Sequence, residues 1–430
     1  MTTRMTRFPL KRRTLLAGAT AALLAGMAPA MAQTTDDPAA WGWPGPYEKV
    51  SDKSVQWLKD KGWWPIQVAF QAPWSGQNTV NVVMDRMGLM TKRGVEAKWT
   101  AFASGPAINE VLISGRYQVG SGGNFPFTTL VDRKIPVKSI AIESPNLLHA
   151  LVVPNDSPIK SIKDLKGMNP PATIGLVTGS SGEFYFQMAA KLNGLDIGKD
   201  VILKNMAPGE QMSLPKGITG VVSWDPTPTM MVEERKNGRI VDSIFPYNIY
   251  EGTFYLRSEM IENAPDVAQA FSDAFAEATL WTRQNPEKAA ALLGEDASLK
   301  NYSKEILLQQ VKAYTLLYKP THIFPDGTFY GKANEPIYKW LYEAKRITRP
   351  LTAADFAAAV DDRFMRKTFD KLGWAVPKQP PFLPAGWSGK PEAPPYPEYA
   401  SVLNLKEPQP FPEPADLTRP WSIGGKTFQP

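Results

Sequence analysis

The 430-residue chain contains no cysteine. That excludes disulfides, thiol nucleophiles, cysteine metal sites and attachment of a lipid through a cysteine. Histidine is nearly missing too, with His149 and His322 the only two. A histidine-rich metal site is ruled out, and a Ser-His-acid triad would have to use one of the pair. His149, inside Leu147-Leu148-His149-Ala150-Leu151, reads as a half-buried strand residue, and His322, after Pro320, as a surface residue in a proline-flanked loop. No paired carboxylates stand at matching strand ends apart from Asp225, and no cluster has metal-ligand spacing. Excess charge is also lacking. The formal net charge is +6, but residues 1–32 hold Arg4, Arg7, Lys11, Arg12 and Arg13 and no acid, which leaves about +1 for the rest. Nothing here asks for nucleic acid. Beyond residue 32, no stretch is apolar enough to cross a bilayer.

The first residues have an order of their own. Lys11-Arg12-Arg13 precedes Thr14-Leu15-Leu16, an apolar stretch and then Ala30-Met31-Ala32. A charged start, a short apolar core and an Ala-x-Ala site predict a signal peptide over 1–32, with Gln33 as the mature start. The Arg-Arg pair before Leu-Leu suggests the twin-arginine type. Residues 33–64 read as an N-terminal arm, packed on the surface by tryptophans such as Trp41 and Trp43.

From residue 65 strands and helices alternate. Ile66–Phe70, Glu96–Phe102, Gln118–Gly120, Val137–Ile142 and Leu148–Val153 read as strands; Asn78–Met90 and the segments opened by Ser104-Gly105-Pro106 and Gly122-Gly123-Asn124 read as helices. A second series follows, with strands at Thr173–Val177, Val201–Asn205, Gly220–Ser223 and Arg239–Asp242 and helices at Gly182–Leu192 and Thr227–Lys236. After 258 the pattern is all helical and includes a long helix over Ala353–Leu372. From Pro377 to Pro430 there are 14 prolines and little periodicity, which predicts an extended or disordered tail. The whole reads as α/β, two parallel-dominated units in series with a helical cap.

Ligands in such sheets sit at the carboxyl ends of strands, beside helix N-termini. Gly179-Ser180-Ser181-Gly182 lies at such a junction. A phosphate loop needs Lys where Glu183 stands, and Gly-x-Ser-x-Gly also fails at Glu183. What remains is a helix start that caps itself or cradles an anion, with Ser180 and Ser181 as caps and hydroxyl donors. Ser104-Gly105 and Gly123-Asn124 repeat the device, with Asn124 placed as an N-cap. Trp224, in Ser223-Trp224-Asp225-Pro226, reads as a wall for a ligand or as packing between the units, and Asp225 as a ligand contact or a helix cap. Gln71 and Trp74, just after the first strand, are similar candidates. The candidate loops hold no Arg or Lys. An exported chain with strand-end donors and no acid/base set looks like a binder.

The order Phe102-x-Ser104-Gly105, Gly122-Gly123-Asn124, Ser161–Gly167, Gly179-Ser180-Ser181, Trp224-Asp225-Pro226 resembles the solute-binding proteins of ABC importers. The nearest branch is the sulfonate/nitrate/taurine-binding group, itself related to thiamine-pyrimidine binders. Asn263–Val267 and Trp281–Glu287 match that family's later helices, and the likeness covers roughly 65–295. It implies a two-lobed periplasmic binding fold, type II-like, with a hinge. Lobe 1 would be 65–153 plus 247–375 with the helical cap, lobe 2 would be 154–246, and the Pro-rich tail would be 376–430. Crossings near Val153 and Tyr247 would form the hinge. The ligand site would comprise Gln71, Trp74, Ser104, Gly105, Gly123, Asn124, Gly179, Ser180, Ser181, Trp224 and Asp225, with no metal and no cofactor. The partners would be a small anionic or aromatic solute and an inner-membrane permease and ATPase. Phe102, Phe125, Phe127 and Tyr185, beside Trp224, would admit an aromatic ligand. Alternatives are a sensor of the same fold or an enzyme like the pyrimidine-synthesising branch. That branch relies on a cysteine motif this chain lacks.

Overall fold

The computed structural model describes residues 38–73, 75–145, 147–244, 247, 250–317, 320–374, 376, 421–423 and 426–428. The signal peptide expected over 1–32 lies outside them, as does most of the Pro-rich tail. Of that tail Val376 and a short antiparallel hairpin, Trp421–Ile423 with Lys426–Phe428, are described.

Ten strands form two five-stranded sheets. The first holds β1 (Ile66–Gln71), β2 (Ala97–Phe102), β3 (Val119–Gly123), β4 (Val137–Pro145) and β10 (Glu251–Arg257), in the order β2-β1-β3-β10-β4. The second holds β5 (His149–Pro154), β6 (Ala172–Leu176), β7 (Val201–Asn205), β8 (Gly220–Trp224) and β9 (Gly238–Ser243), in the order β7-β6-β8-β5-β9. In each sheet four strands run in one direction, and one strand, β10 or β5, runs antiparallel to both its neighbours. The sheets are therefore mixed rather than all parallel. β1 is buried on both faces, as a central strand covered by helices must be.

The chain passes between the sheets twice, from Pro145 to His149 and from Ser243 to Glu251. The passages run side by side, because Glu251 pairs with Pro145 and Ser243 with Ala150. Two adjacent connections of this kind make a hinge. The first lies earlier than the sequence boundary at 153 places it, since β5 pairs with β8 and β9 and belongs to the second sheet. Apolar alternation marks a buried strand, but the sheet it joins is decided by partners 69 to 93 residues away in the chain.

The helices after β10 pack on the first sheet. Pro265–Gln284 is buried along nearly its whole length, with Phe271 and Phe275 against Phe254 of β10. The N-terminal arm joins this core instead of lying on its surface. Trp41 and Trp43 are buried, Trp41 Nε1 donates to Glu277, and Arg93 lies against the Trp43 ring while pairing with Glu277 at 2.7 Å. The helix expected over 353–372 is two helices, Ala353–Ala358 and Arg363–Leu372. Between them Ser139 of β4 accepts from Asp361 and donates to Ala359 at 2.8 Å, so an edge-strand contact overrides local helical preference. Thr227–Lys236 likewise becomes one α-turn, Thr227–Thr229, followed by a π-helical turn at Met230–Glu234. His322 is buried, not at the surface, because its short 3-10 turn packs under β4 and the Pro265–Gln284 helix. Among the described residues no helix is long and apolar enough to cross a membrane.

Candidate functional site

Three helices begin at the carboxyl ends of strands and face one another across the gap between the sheets. Gly105–Ile113 follows β2, Asn124–Asp132 follows β3 and Ser181–Leu192 follows β6. Between their starts lies a small pocket. The first lobe lines it with Gln71, Gly105, Gly123 and Pro126. The second lobe adds His149, Ser180, Ser181 and Trp224, and Tyr250 enters from the second crossing. No lining side chain is an acid, a lysine or an arginine. The positive field at the site is that of the converging helix ends, whose first N–H groups have no partner within the helix.

The helix starts are built differently. Ser104 occupies the N-cap of its helix without a side-chain capping bond, and Gly123 caps the next one with no side chain to offer. Asn124 is thus the first residue of its helix and not the cap. Its Oδ1 accepts from Phe125 N at 3.1 Å and from Ser181 Oγ, across the lobes, at 3.4 Å. Ser180 is a true cap. Its hydroxyl accepts from Glu183 N at 3.2 Å and donates to the Val177 carbonyl at 2.6 Å. Glycine at 123 follows from close approach: a Cβ there would lie 2.7 Å from Ser181 Oγ and 2.9 Å from the Tyr250 hydroxyl.

Gln71, Gly105, Gly123, Ser180, Ser181 and Trp224 come together at the pocket, while Ser104 and Asn124 stand directly behind it. Gly179, at φ +78°, lies outside the lining beside Pro106, and its N–H donates to Glu183 at 2.6 Å. Asp225 also lies outside. It is fully buried, accepts from Thr229 N at 3.2 Å and Thr229 Oγ1 at 2.8 Å as a helix cap, and takes Gln310 Nε2 at 3.1 Å. Trp74 falls outside the described residues. Trp224 both lines the pocket and packs between lobes, since its Nε1 donates to the Pro73 carbonyl at 3.0 Å. The expected aromatic wall does not form. Phe125 stacks on Phe184, Phe127 contacts Tyr255 and Phe356, Tyr185 contacts Tyr247 and Phe102 contacts Tyr117, so these rings serve the cores.

Pro126, Tyr250 and His149 line the pocket without a sequence-based reading as site residues. His149 is 2% exposed, and its apolar flanks are those of any core strand residue. The signal lay in its register, since it pairs directly with Trp224. Its ring lies 4.8 Å from Tyr250 and 6.0 Å from Trp224, centroid to centroid. Burial lowers its pKa to about 4, so the ring is neutral near pH 7.

Further bonds hold the lobes together. Arg346, after the helix Glu335–Glu343, donates to both Glu183 oxygens at 2.5 and 2.6 Å. Tyr302 and Thr227 share a hydrogen bond of 3.0 Å. At the hinge, Asn334 donates to Glu251 and accepts from Asn124 Nδ2 at 2.8 Å. Burial pushes Glu251 up to about 8. Among the described residues no group of three or more His, Asp or Glu could hold a metal ion.

A family model described as NMT1/THI5 like matches residues 83–289. A curated relative from Escherichia coli (strain K12), named for binding aliphatic sulfonates, is 26% identical over 222 residues; the match spans 49% of this chain and 66% of the relative. Among solved structures, the periplasmic aliphatic sulphonate binding protein SsuA from Escherichia coli superposes with a TM-score of 0.57 at 19% identity, covering 67% of this chain and 95% of that one. The periplasmic nitrate-binding protein NrtA from Synechocystis PCC 6803 gives 0.60 at 14% identity, over 73% of this chain and 91% of that one. Residues 83–289 thus match the NMT1/THI5-like family, and the fold of the chain is that of the periplasmic sulfonate- and nitrate-binding proteins.

Proposed function

We propose that the protein is the exported substrate-binding component of an ABC importer, taking a small anionic solute into the cleft and delivering it to a membrane permease. The carrying observation is the convergence of three helix N-termini, from both lobes, on a small pocket with no charged side chain in its lining. Such ends hold oxyanions through N–H groups and dipoles. Ligand contacts to both lobes favour the closed arrangement over the open one. The Arg-Arg leader of residues 1–32 fits export to the periplasm.

The same lining argues for binding without turnover. The Ser180 proton points to the Val177 carbonyl, so this serine is not aligned with a base as a nucleophile would be. Calorimetric titration of the purified protein with small sulfonates, taurine and nitrate tests the reading. Saturable binding with thermal stabilisation and no chemical change in the ligand is expected. Absence of binding by every one of these anions would count decisively against it.

A further inference from the structure

Two buried side chains face this pocket with hydrogen-bonding capacity that the anion reading leaves unused. Gln71, 5% exposed at the end of β1, lines the pocket from the first lobe, and its carboxamide has no protein partner among the described residues. His149, 2% exposed, lines it from the second.

The His149 tautomer is fixed by its neighbour. Nδ1 lies 3.1 Å from the Leu147 carbonyl, which can only accept, so Nδ1 carries the hydrogen. Burial keeps a second proton off the ring. Nε2 is then a bare acceptor, and it has no protein partner among the described residues. The Tyr250 and Trp224 rings confine the imidazole on two sides. A ligand with lone pairs alone would set them against the lone pair of Nε2. A ligand with an O–H or N–H would satisfy it.

We propose that Nε2 of His149 determines specificity, and that the pocket takes a small oxyanion carrying its own hydrogen-bond donor, a hydroxyl or an ammonium, in preference to a bare anion. The helix starts hold the anionic end and His149 reads the donor end. Gln71, which both donates and accepts, can meet either. This rests on the anion-binding function proposed above.

The test compares 2-hydroxyethanesulfonate, ethanesulfonate and nitrate by calorimetry on the full mature chain. A buried acceptor left unpaired weakens binding by ~tenfold or more. The hydroxylated sulfonate should therefore bind about tenfold or more tighter than the other two. In His149→Phe the gap between the two sulfonates should shrink to within about threefold, while ethanesulfonate still binds. A measurement on the unaltered protein guards against a misfolded variant. The chain has two imidazoles, so ¹⁵N-histidine labelling gives an assignable spectrum. The unprotonated nitrogen of His149 should shift with 2-hydroxyethanesulfonate and stay put with ethanesulfonate. Equal affinities for the two sulfonates, nitrate binding as tightly as the hydroxylated one, a gap that survives in His149→Phe, or an unmoved nitrogen resonance would each overturn the donor assignment alone. Binding of none of the three anions would instead overturn the anion reading itself, and the donor assignment with it.

Discussion

The two lobes meet the pocket with different chemistry. The first offers mainly backbone: Gly105 and Gly123 open helices whose ends carry no side-chain cap. The second offers side chains and a finished helix end, in which Ser180 already serves Glu183 N, and Glu183 serves Gly179 N and Arg346. Uncapped N–H groups are the ones free to take an anion. Under the proposed function the first lobe would be the primary anion holder, and the second a lid that supplies shape, an imidazole and a latch. Helix ends left open in this way take water or a ligand as partner, and the proposed function gives that role to the anion.

Four substitutions would break or sharpen that division, in falling order of their effect on affinity. Gly123→Ala puts a Cβ against Ser181 Oγ and Tyr250 from the lid. Overpacking of this kind costs about 1–3 kcal/mol, so affinity for a small sulfonate should fall roughly 10- to 100-fold by calorimetry. Arg346→Met removes the latch and leaves the buried Glu183 carboxylate without its cation. Arg346 is 39% exposed, which limits the loss to about 1 kcal/mol. Small-angle scattering without ligand should show a more open molecule, with affinity down several-fold. Ser180→Ala should cost about 1 kcal/mol in unfolding free energy, as a lost N-cap does, and change affinity by less than about threefold. A large affinity loss at constant stability would make Ser180 a ligand donor and undo the division.

Glu251→Gln should leave affinity unchanged and alter only the pH dependence of stability. The folded-state pKa of Glu251 is raised from 4.5 to about 8 by burial, so the folded state keeps a proton that the unfolded chain releases above 4.5. Its contribution is complete below 4.5 and is lost as pH rises toward 8. The variant should gain stability relative to the parent between pH 5 and pH 8, read by urea denaturation. A parallel pH dependence in the two proteins would mean that Glu251 ionises normally.

Much of the fold was legible because short apolar runs bounded by turn residues mark strands: β1, β2, β6 and β7 fall within a residue or two of their sequence expectation. The helix starts were legible from Ser104-Gly105, Gly123-Asn124 and Ser180-Ser181, where local chemistry marks the boundary. Features set by distant partners were not. The sheet that β5 joins, the burial of His322 and the pairing of Glu183 with Arg346, 163 residues on, have no local signature. In the sequence Glu183 counted only as a charge of the wrong sign for a phosphate loop; in the folded protein it latches the lid. His149 was hidden in another way, because a pocket residue and a core residue share the same apolar flanks.

The antiparallel strand inside each sheet bears on how the molecule is made. All five strands of the second sheet lie in one unbroken stretch, His149 to Ser243, while the first sheet needs β10 between β3 and β4. A growing chain thus completes the lid before the body can close its sheet, and β3 and β4 must wait more than a hundred residues for the strand that lies between them. Long-range pairing of that kind is slow. The body, which holds the uncapped helix ends, is the last part of the protein to become whole.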